Sequence, residues 1–337
     1  MKLSLKYLAD HVHGETDAYQ LLEELRWHGT PVCSHCGHDK AYFLKPRNGV
    51  SRGTGKPNAE GKRTQTVRRT WKCAKCRKQF SVLTGTIFHG TKIPVQTWLM
   101  VMVQMSSAKN GITAREIERM HGLTPETAWY MLHRLREAMK REPLAGRLSG
   151  TIVADETFIG GKPRNRHQQG KKRSGTGRGV AGHPGKEKAA VLSLVNKETG
   201  EVRSRVVPNV TGETLRDAMT EQVDMSTSTL HTDKWAGYAE VGKKFVGGHE
   251  SVDHSSHEYV RGNVTTNQAE GYFSQLKRSI DGTQHHISRE HLSRYLAEFD
   301  YRYNTRKLSD SARMQRMIDQ TASRRLSYEP LTLREGR

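Results

Sequence analysis

Three acidic residues have the type and the surroundings that metal-dependent chemistry needs. Asp155 and Asp233 each follow an apolar run, and Glu270 lies near the start of a stretch with helical periodicity. Three carboxylates offer hard oxygen ligands and leave water positions open, which suits Mg²⁺ or Mn²⁺. Two such ions would activate a water or a 3′-hydroxyl and stabilise the leaving oxygen of an in-line displacement at phosphorus. The three residues therefore predict a two-metal phosphoryl-transfer site.

Two strands must position the two aspartates. Asp155 and Asp233 end strand-like segments, so they lie side by side at a sheet edge if the strands are neighbours. Glu156, the next residue along, is the competing ligand. Because successive side chains of a strand point to opposite faces, we prefer Asp155. Each aspartate taken alone could also be a solvated or capping residue.

A helix predicted to begin at residues 265–267 carries the third acid. Glu270 and Lys277 are seven residues apart, which places both on one side of the helix, roughly 10 Å apart along its axis. A carboxylate near the helix N-terminus and a cation two turns further on suit a metal ion and a phosphate. Arg278 is a second candidate for contact with DNA. The alternative interpretation is an ordinary surface helix with scattered charges.

The four cysteines form two Cys-x-x-Cys knuckles, Cys33 with Cys36 and Cys73 with Cys76. Two knuckles supply the four thiolates of a tetrahedral zinc site. A redox pair or unrelated free thiols are the alternatives. Such a zinc ribbon could contact DNA, or it could be structural or bind protein, and the residues leave this open.

Residues 112–141 have the pattern of a helix-turn-helix. A capping box at Thr113 opens the first helix, Gly122 makes the turn, and Pro125 lies at the first position of the second helix. The second helix is the one that would enter a major groove, and Arg134 on it is a predicted DNA contact. An ordinary helical hairpin would have the same pattern.

The formal net charge of +20 argues for a polyanionic partner. A basic tract without apolar periodicity, residues 160–186, follows the first acid. We predict that it contacts the DNA backbone, through Lys162, Lys171, Lys172 and Arg173; a disordered loop is the alternative. No apolar run is long enough for a membrane span, and no signal peptide is recognised. We therefore expect a cytoplasmic, nucleoid-associated protein without a membrane partner.

The order of strand and helix patterns after residue 150 predicts an α/β fold. Helices are also predicted at residues 16–28 and 94–108. The pattern divides the chain into an N-terminal helix and zinc ribbon (1–90), a helix-turn-helix domain (91–142), a catalytic domain (150–310) and a C-terminal tail (311–337).

Four segments together resemble a known family. They are residues 155–162, 231–238, 285–299, and the motif Thr266-Asn-Gln-Ala-Glu270-Gly-Tyr-Phe-Ser-Gln-Leu-Lys277-Arg278. The combination is similar to the zinc-ribbon group of bacterial insertion-sequence transposases. The long basic insert between the two knuckles departs from a compact ribbon.

The resemblance implies an RNase H-like mixed sheet flanked by helices, with Asp155, Asp233 and Glu270 as a DDE metal-binding triad. It also implies that Lys277 positions terminal DNA, and that the protein binds terminal inverted repeats and target DNA as a homodimer or higher oligomer. Two alternatives remain at this point. A nuclease or resolvase would use the same acids, and a zinc-ribbon transcription regulator would explain the first 141 residues without catalysis.

Overall fold

A computed structural model describes residues 2–45, 68–140, 146–160 and 188–326 of the chain. It divides into two compact units, which we treat separately. The first comprises Met1–Met139 together with Leu308–Arg337, and the second comprises Lys140–Lys307. No helix among the described residues is long and apolar enough to cross a membrane.

The first unit combines helices with a small three-stranded antiparallel sheet. Its elements are α1 (Leu5–His11), α2 (Glu15–Trp27), β1 (Ala41–Phe43), β2 (Trp71–Cys73), β3 (Gln79–Phe80), α3 (Val95–Ser107), α4 (Ala114–His121) and α5 (Pro125–Met139). Glu23, buried on α2, joins the helix to the sheet because its carboxylate accepts hydrogen bonds of 2.9 Å from both Arg69 Nε and Trp71 Nε1.

The two helices and the turn of the predicted helix-turn-helix are present, with the capping box and the glycine turn that the sequence indicated. The Oγ1 of Thr113 accepts from the backbone N–H of Glu116 at 3.1 Å, and the Glu116 carboxylate accepts from the N–H of Thr113 at 2.7 Å. Gly122 ends α4 with φ of +62°, a left-handed conformation that glycine adopts without strain. Both helices bury apolar side chains toward the unit's interior, including Ile117 and Leu132.

The second unit is built on a five-stranded mixed sheet. Its elements are β4 (Leu148–Gly160), β5 (Lys188–Asn196), β6 (Val202–Val207), α6 (Gly212–Gln222), β7 (Val223–Asp233), α7 (Ala239–Gly242), β8 (His249–Val252), β9 (Val260–Arg261), β10 (Val264–Thr265), α8 (Asn267–Ser279) and α9 (Arg289–Asn304). The strand order is β6-β5-β4-β7-β8, with β4, β7 and β8 parallel and the β6-β5-β4 pairs antiparallel. This architecture confirms the expected α/β class.

Alternation along β4 divides the core of this unit into two layers. Ile152 and Ala154 pack with helix α6 on one face of the sheet, in a cluster that includes Leu215 and Met219. Val153 packs on the other face, against the apolar side of α8 and α9. Adjacent side chains of β4 therefore meet different helices, and this alternation decides which acids can meet.

The last described segment returns to the first unit. Helix α10 (Asp310–Asp319) buries Met314, Met317 and Ile318. Arg324 Nη1 donates to the carbonyl of Glu137 at 2.6 Å. The predicted C-terminal tail, residues 311–337, thus contains most of this helix, and its described residues 311–326 belong to the first compact unit.

Candidate active site and zinc centre

Asp155 and Asp233 lie on neighbouring parallel strands at the same level. Val153 of β4 is paired with His231 of β7, and each aspartate lies two residues further along its strand. A step of two residues returns a side chain to the same face. Both aspartates are therefore directed to the sheet face that carries Val153, two residues beyond the last paired positions of β4 and β7.

Glu270 reaches this face from the first turn of α8. The helix packs on the sheet through Ala269, Tyr272, Phe273 and Leu276, which belong to the same apolar cluster as Val153. The Oγ1 of Thr266, the residue before the helix, donates to Glu270 Oε1 at 3.2 Å. The Glu270 side chain is 45% exposed, so it lies at the open rim of the site.

Electrostatic interactions join residues from the two strands and the helix. Burial raises the pKa of Asp155 to about 7. The 2.8 Å hydrogen bond that the N–H of Glu156 donates to Asp155 Oδ1 has the opposite effect and lowers this pKa. The negative charges of Asp233 and Glu270 raise this pKa further, while the charge of Lys277 lowers it. Burial also raises the pKa of Asp233. The charges of Asp233, Glu270 and Lys277 therefore act on Asp155, although the three acids form no tight ligand group among the described residues.

The chemistry of the acids fits a divalent cation. The Asp233 carboxyl accepts a hydrogen bond from the backbone N–H of Trp235, but its Oδ1 is buried and has no partner in the described part of the chain. An unpartnered buried carboxylate oxygen is costly unless a donor or a cation compensates it. The two aspartates and Glu270 are thus suited to hold Mg²⁺ or Mn²⁺, whose ligands are carboxylate oxygens and water.

Glu156 points away from this group. The hydroxyl of Tyr238 donates to Glu156 Oε1, on the sheet face covered by α6 and α7. Burial raises the pKa of Glu156 to about 8. The two adjacent acids therefore lie on opposite faces of the sheet, as strand alternation predicts, while the charges of Asp155 and Asp233 still raise the pKa of Glu156.

His254 is a site residue that our sequence reasoning missed. Its Nε2 lies 3.0 Å from Thr266 Oγ1, and its Nδ1 lies 3.6 Å from Glu270 Oε1. The charge of His254 also acts on Asp233, where it lowers a pKa that burial raises. The available signal was the histidine-rich segment just before the helix of Glu270.

A second missed feature is a row of hydroxyl groups behind Asp155. Asp155 is paired with Ser193 across β4 and β5, and the Ser193 hydroxyl lies 2.9 Å from that of Ser204 on β6. Asp300 of α9 ends the row: its carboxylate accepts from the Ser204 hydroxyl at 2.8 Å and from the Tyr272 hydroxyl at 2.6 Å. Burial raises the pKa of Asp300 to about 6. This row connects α8, which carries Glu270, to the sheet and to α9.

The four cysteines converge in the first unit. Their sulfur atoms all lie within 4.8 Å of one another, with Sγ–Sγ distances of 3.7 Å between Cys33 and Cys76 and 3.6 Å between Cys36 and Cys73. Four thiolates at about 2.3 Å from a tetrahedral zinc ion are separated by about 3.8 Å. The sulfurs are unbridged, and their arrangement fits Zn²⁺.

The predicted DNA contacts have different outcomes. Lys277 and Arg278 are exposed on α8. Arg134 is only 4% exposed: its Nη2 donates to the carbonyl of His89 at 2.7 Å, and its guanidinium lies 5.6 Å from the ring centroid of Trp98. The expectation that Arg134 contacts DNA does not fit this placement, because the side chain is used inside the unit. Lys162, Lys171, Lys172 and Arg173 lie outside the described residues.

Comparison with known proteins defines the class of this protein. Residues 147–304 match the family model of the ISXO2-like transposase domain, and residues 14–79 match that of the transposase zinc-ribbon domain. The first range contains the five-stranded sheet with its acids, and the second contains all four cysteines. The fold is that of an RNase H-like transposase domain preceded by a zinc ribbon.

The chain belongs to the zinc-ribbon group of insertion-sequence transposases, as its motifs indicated. It is also similar to an uncharacterized protein in the transposable element ISH50 of Halobacterium salinarum. The two are 24% identical over 290 residues, which cover 86% of this chain and 90% of that protein.

Proposed function

We propose that this protein binds the terminal inverted repeats of its insertion sequence and catalyses metal-dependent strand cleavage and strand transfer. The observation that supports this most is that the charges of Asp233 and Glu270, from β7 and α8, raise the pKa of Asp155 on β4. Burial also raises the pKa values of both aspartates, and such a group of acids has a clear use if it holds the divalent ions of a phosphoryl-transfer site.

In this proposal the chain's own residues hold and orient the reactants. Asp155, Asp233 and Glu270 hold Mg²⁺ or Mn²⁺, which when bound supplies Lewis acidity for in-line displacement at phosphorus. Thr266 and His254 restrain the Glu270 carboxylate at the rim. Lys277 and Arg278 contact phosphates of the terminal DNA along the exposed side of α8.

DNA binding outside the acidic site is also part of the proposal. Double-stranded terminal and target DNA are the expected partners, because the net charge of +20 favours binding to a polyanion. The residues Lys162, Lys171, Lys172 and Arg173 remain predicted backbone contacts. We further propose that the zinc ribbon helps to recognise the DNA end and that the protein acts as a homodimer or higher oligomer.

A strand-transfer assay tests the proposal. Purified protein is incubated with a labelled duplex that carries the element's terminal repeat, with target DNA and with Mg²⁺. Joined products that require Mg²⁺ and disappear in the Asp233→Ala variant are the expected result. Cleavage without joining would favour the nuclease or resolvase alternative, and end binding without either reaction would favour a regulator.

A further inference from the structure

An exposed hairpin lies beside the acids and has no assigned role. Strands β9 and β10 form it, with Arg261 paired to Val264 around the two-residue turn Gly262-Asn263. Tyr259, just before the hairpin, is 51% exposed, and Val260, its first residue, is 53% exposed. Within the described residues of the second unit, Tyr259 is the one aromatic side chain that is exposed.

Backbone pairing places this segment at the edge of the sheet where the acids lie. Val252, at the end of β8, is paired with Asp233 at the end of β7. The chain continues from Val252 through His254 to Tyr259, then through the hairpin to Thr266, the residue before the helix of Glu270. The segment therefore begins beside one acid and ends beside another.

Ring contacts connect Tyr259 to the site itself. The Tyr259 ring lies 5.3 Å from the His254 ring, measured between centroids. His254 in turn lies 3.0 Å from Thr266 and 3.6 Å from Glu270. His254 thus lies between Tyr259 and Glu270, a candidate metal ligand, and the Tyr259 side chain is half exposed to solvent.

The surroundings of the ring suit a nucleic-acid strand better than an apolar partner. Arg261, two residues from Tyr259, is exposed, and Lys277 and Arg278 are exposed on α8. Isolated apolar side chains on a surface are common and need no explanation. Here the exposed ring is two residues from Arg261, which is ion-paired with Glu258 at 3.6 Å. It also belongs to the segment that ends beside Glu270, one of the acids that the proposed reaction brings to a phosphate. Aromatic rings along the path of a single DNA strand bind it by stacking on its bases.

We propose that Tyr259 stacks on an unpaired base of the DNA strand whose phosphate lies at Asp155, Asp233 and Glu270. This inference rests on the proposed function, because it names the position of the bound strand relative to the acids. The base belongs either to the terminal repeat or to the flanking DNA at the scissile phosphate. The short hairpin holds the ring next to His254, so the ring needs little ordering when the base arrives.

A double-mutant cycle between protein and DNA tests the proposal. Binding of the full-length protein to the terminal-repeat duplex is measured by fluorescence anisotropy without added Mg²⁺, so that no strand is cut. A single abasic nucleotide is placed in turn at each position on either side of the scissile phosphate. At one position we expect the wild-type protein to lose about 5- to 150-fold in affinity, the range for one base on an aromatic ring.

The Tyr259→Ala variant is expected to bind the intact duplex more weakly by a similar factor and to lose nothing further at that same position. Tyr259→Phe, which keeps the ring, should behave like the wild type. Whether the coupled position lies in the repeat or in flanking DNA identifies the source of the base. Additive losses at every position would overturn the proposal, as would a Tyr259→Ala defect that only changes the oligomeric state in sedimentation.

A matched control is Tyr42→Ala, which removes an exposed ring from the first unit. The loss of affinity caused by Tyr42→Ala should add to the loss caused by an abasic nucleotide at every position. Coupling at the position that couples to Tyr259 would contradict specific stacking of that base on the Tyr259 ring. Because the readout is binding, the outcome is separate from the strand-transfer assay. A protein that couples to a base but does not join strands would contradict the proposed function alone.

Discussion

Asp155 and Glu156 are adjacent in β4 but belong to opposite faces of the sheet. The charges of Asp233, Glu270 and Lys277 act on Asp155, whereas Glu156 accepts a hydrogen bond from Tyr238 on the face covered by α6 and α7. The charges of Asp155 and Asp233 also raise the pKa of Glu156, but Glu270 and Lys277 are not among the causes of its shift. Both carboxyl groups have pKa values raised by burial. A raised pKa alone therefore does not distinguish the candidate metal ligand from its neighbour, but the direction of the side chain does.

This opposition gives a matched pair of substitutions. Asp155→Asn should lower strand cleavage and joining by at least about 10³-fold, because it removes a proposed ligand of ions that contribute several kcal/mol to the transition state. Glu156→Gln should retain most activity, since an amide oxygen can still accept from Tyr238. Both variants should bind the terminal-repeat duplex like the wild type. The joined products are measured in a gel assay. If Glu156→Gln were inactive and Asp155→Asn fully active, Glu156 and not Asp155 would be assigned as the metal ligand.

The Asp155 and Glu156 pair also shows what the sequence could predict. Strand alternation is a local property, so the face of each acid followed from two adjacent positions. That Asp155 and Asp233 reach the same face of the sheet on neighbouring strands depends on the register of β4 and β7, whose pairing the sequence alone did not establish. The contacts of His254 with Glu270 and of Asp300 with Ser204 depend on how loops and helices pack. No periodicity in the chain encodes such contacts.

Arg134 is the case in which the sequence prediction does not fit the structure. A cation on the second helix of a helix-turn-helix was expected to meet DNA, but the same spacing also turns it toward Trp98 and Tyr130, whose rings lie 5.6 Å and 5.4 Å from its guanidinium. The long aliphatic stem of arginine allows such burial when the guanidinium finds acceptors and rings. Helical pattern and charge alone therefore did not determine its direction.

Replacing Arg134 should consequently act on stability. Arg134→Ala removes the bond to the His89 carbonyl and two cation–π contacts, so we expect the first unit to lose about 2–3 kcal/mol. Arg115→Ala, at an exposed position of α4, should change stability by no more than about 0.5 kcal/mol. Urea unfolding followed by tryptophan fluorescence measures the difference. Unchanged stability of Arg134→Ala combined with weaker DNA binding would restore the original prediction.

The zinc centre predicts a metal-dependent first unit. Cys73→Ser removes one of four converging thiolates, and the small sheet around them is too short to persist without the ion. We expect the variant to contain less than one equivalent of zinc by elemental analysis and to bind the terminal-repeat duplex more weakly. His38→Ala, two residues after Cys36 of the other knuckle, should keep its zinc. A full equivalent of zinc in Cys73→Ser would exclude a four-cysteine site.

Lys277 is predicted to contact a DNA phosphate. If it does, Lys277→Ala should weaken binding to the terminal repeat and lower the slope of log affinity against log salt concentration by about 1, since one fewer counterion is released. Divalent-metal binding should not change. Gln275→Ala, also exposed on α8, is the control and should leave the slope unaltered. An unchanged slope together with a wild-type joining rate would make Lys277 a bystander.

Asp300 is expected to make stability depend on pH in a defined direction. Its pKa is about 6 in the folded protein, against about 4 in an unfolded chain. The folded state therefore holds the proton more tightly, and the associated stability is complete below pH about 4 and is lost as the pH rises through about 6. Asp300→Asn has no such titration. Its stability relative to the wild type should improve by at most about 3 kcal/mol between pH 4 and 7. Tyr272→Phe removes a hydroxyl that lowers this pKa, so its loss of stability should be displaced to higher pH. Thermal unfolding of the three proteins at matched pH measures this, and a difference between Asp300→Asn and wild type that is constant with pH would mean that folding does not shift the pKa of Asp300.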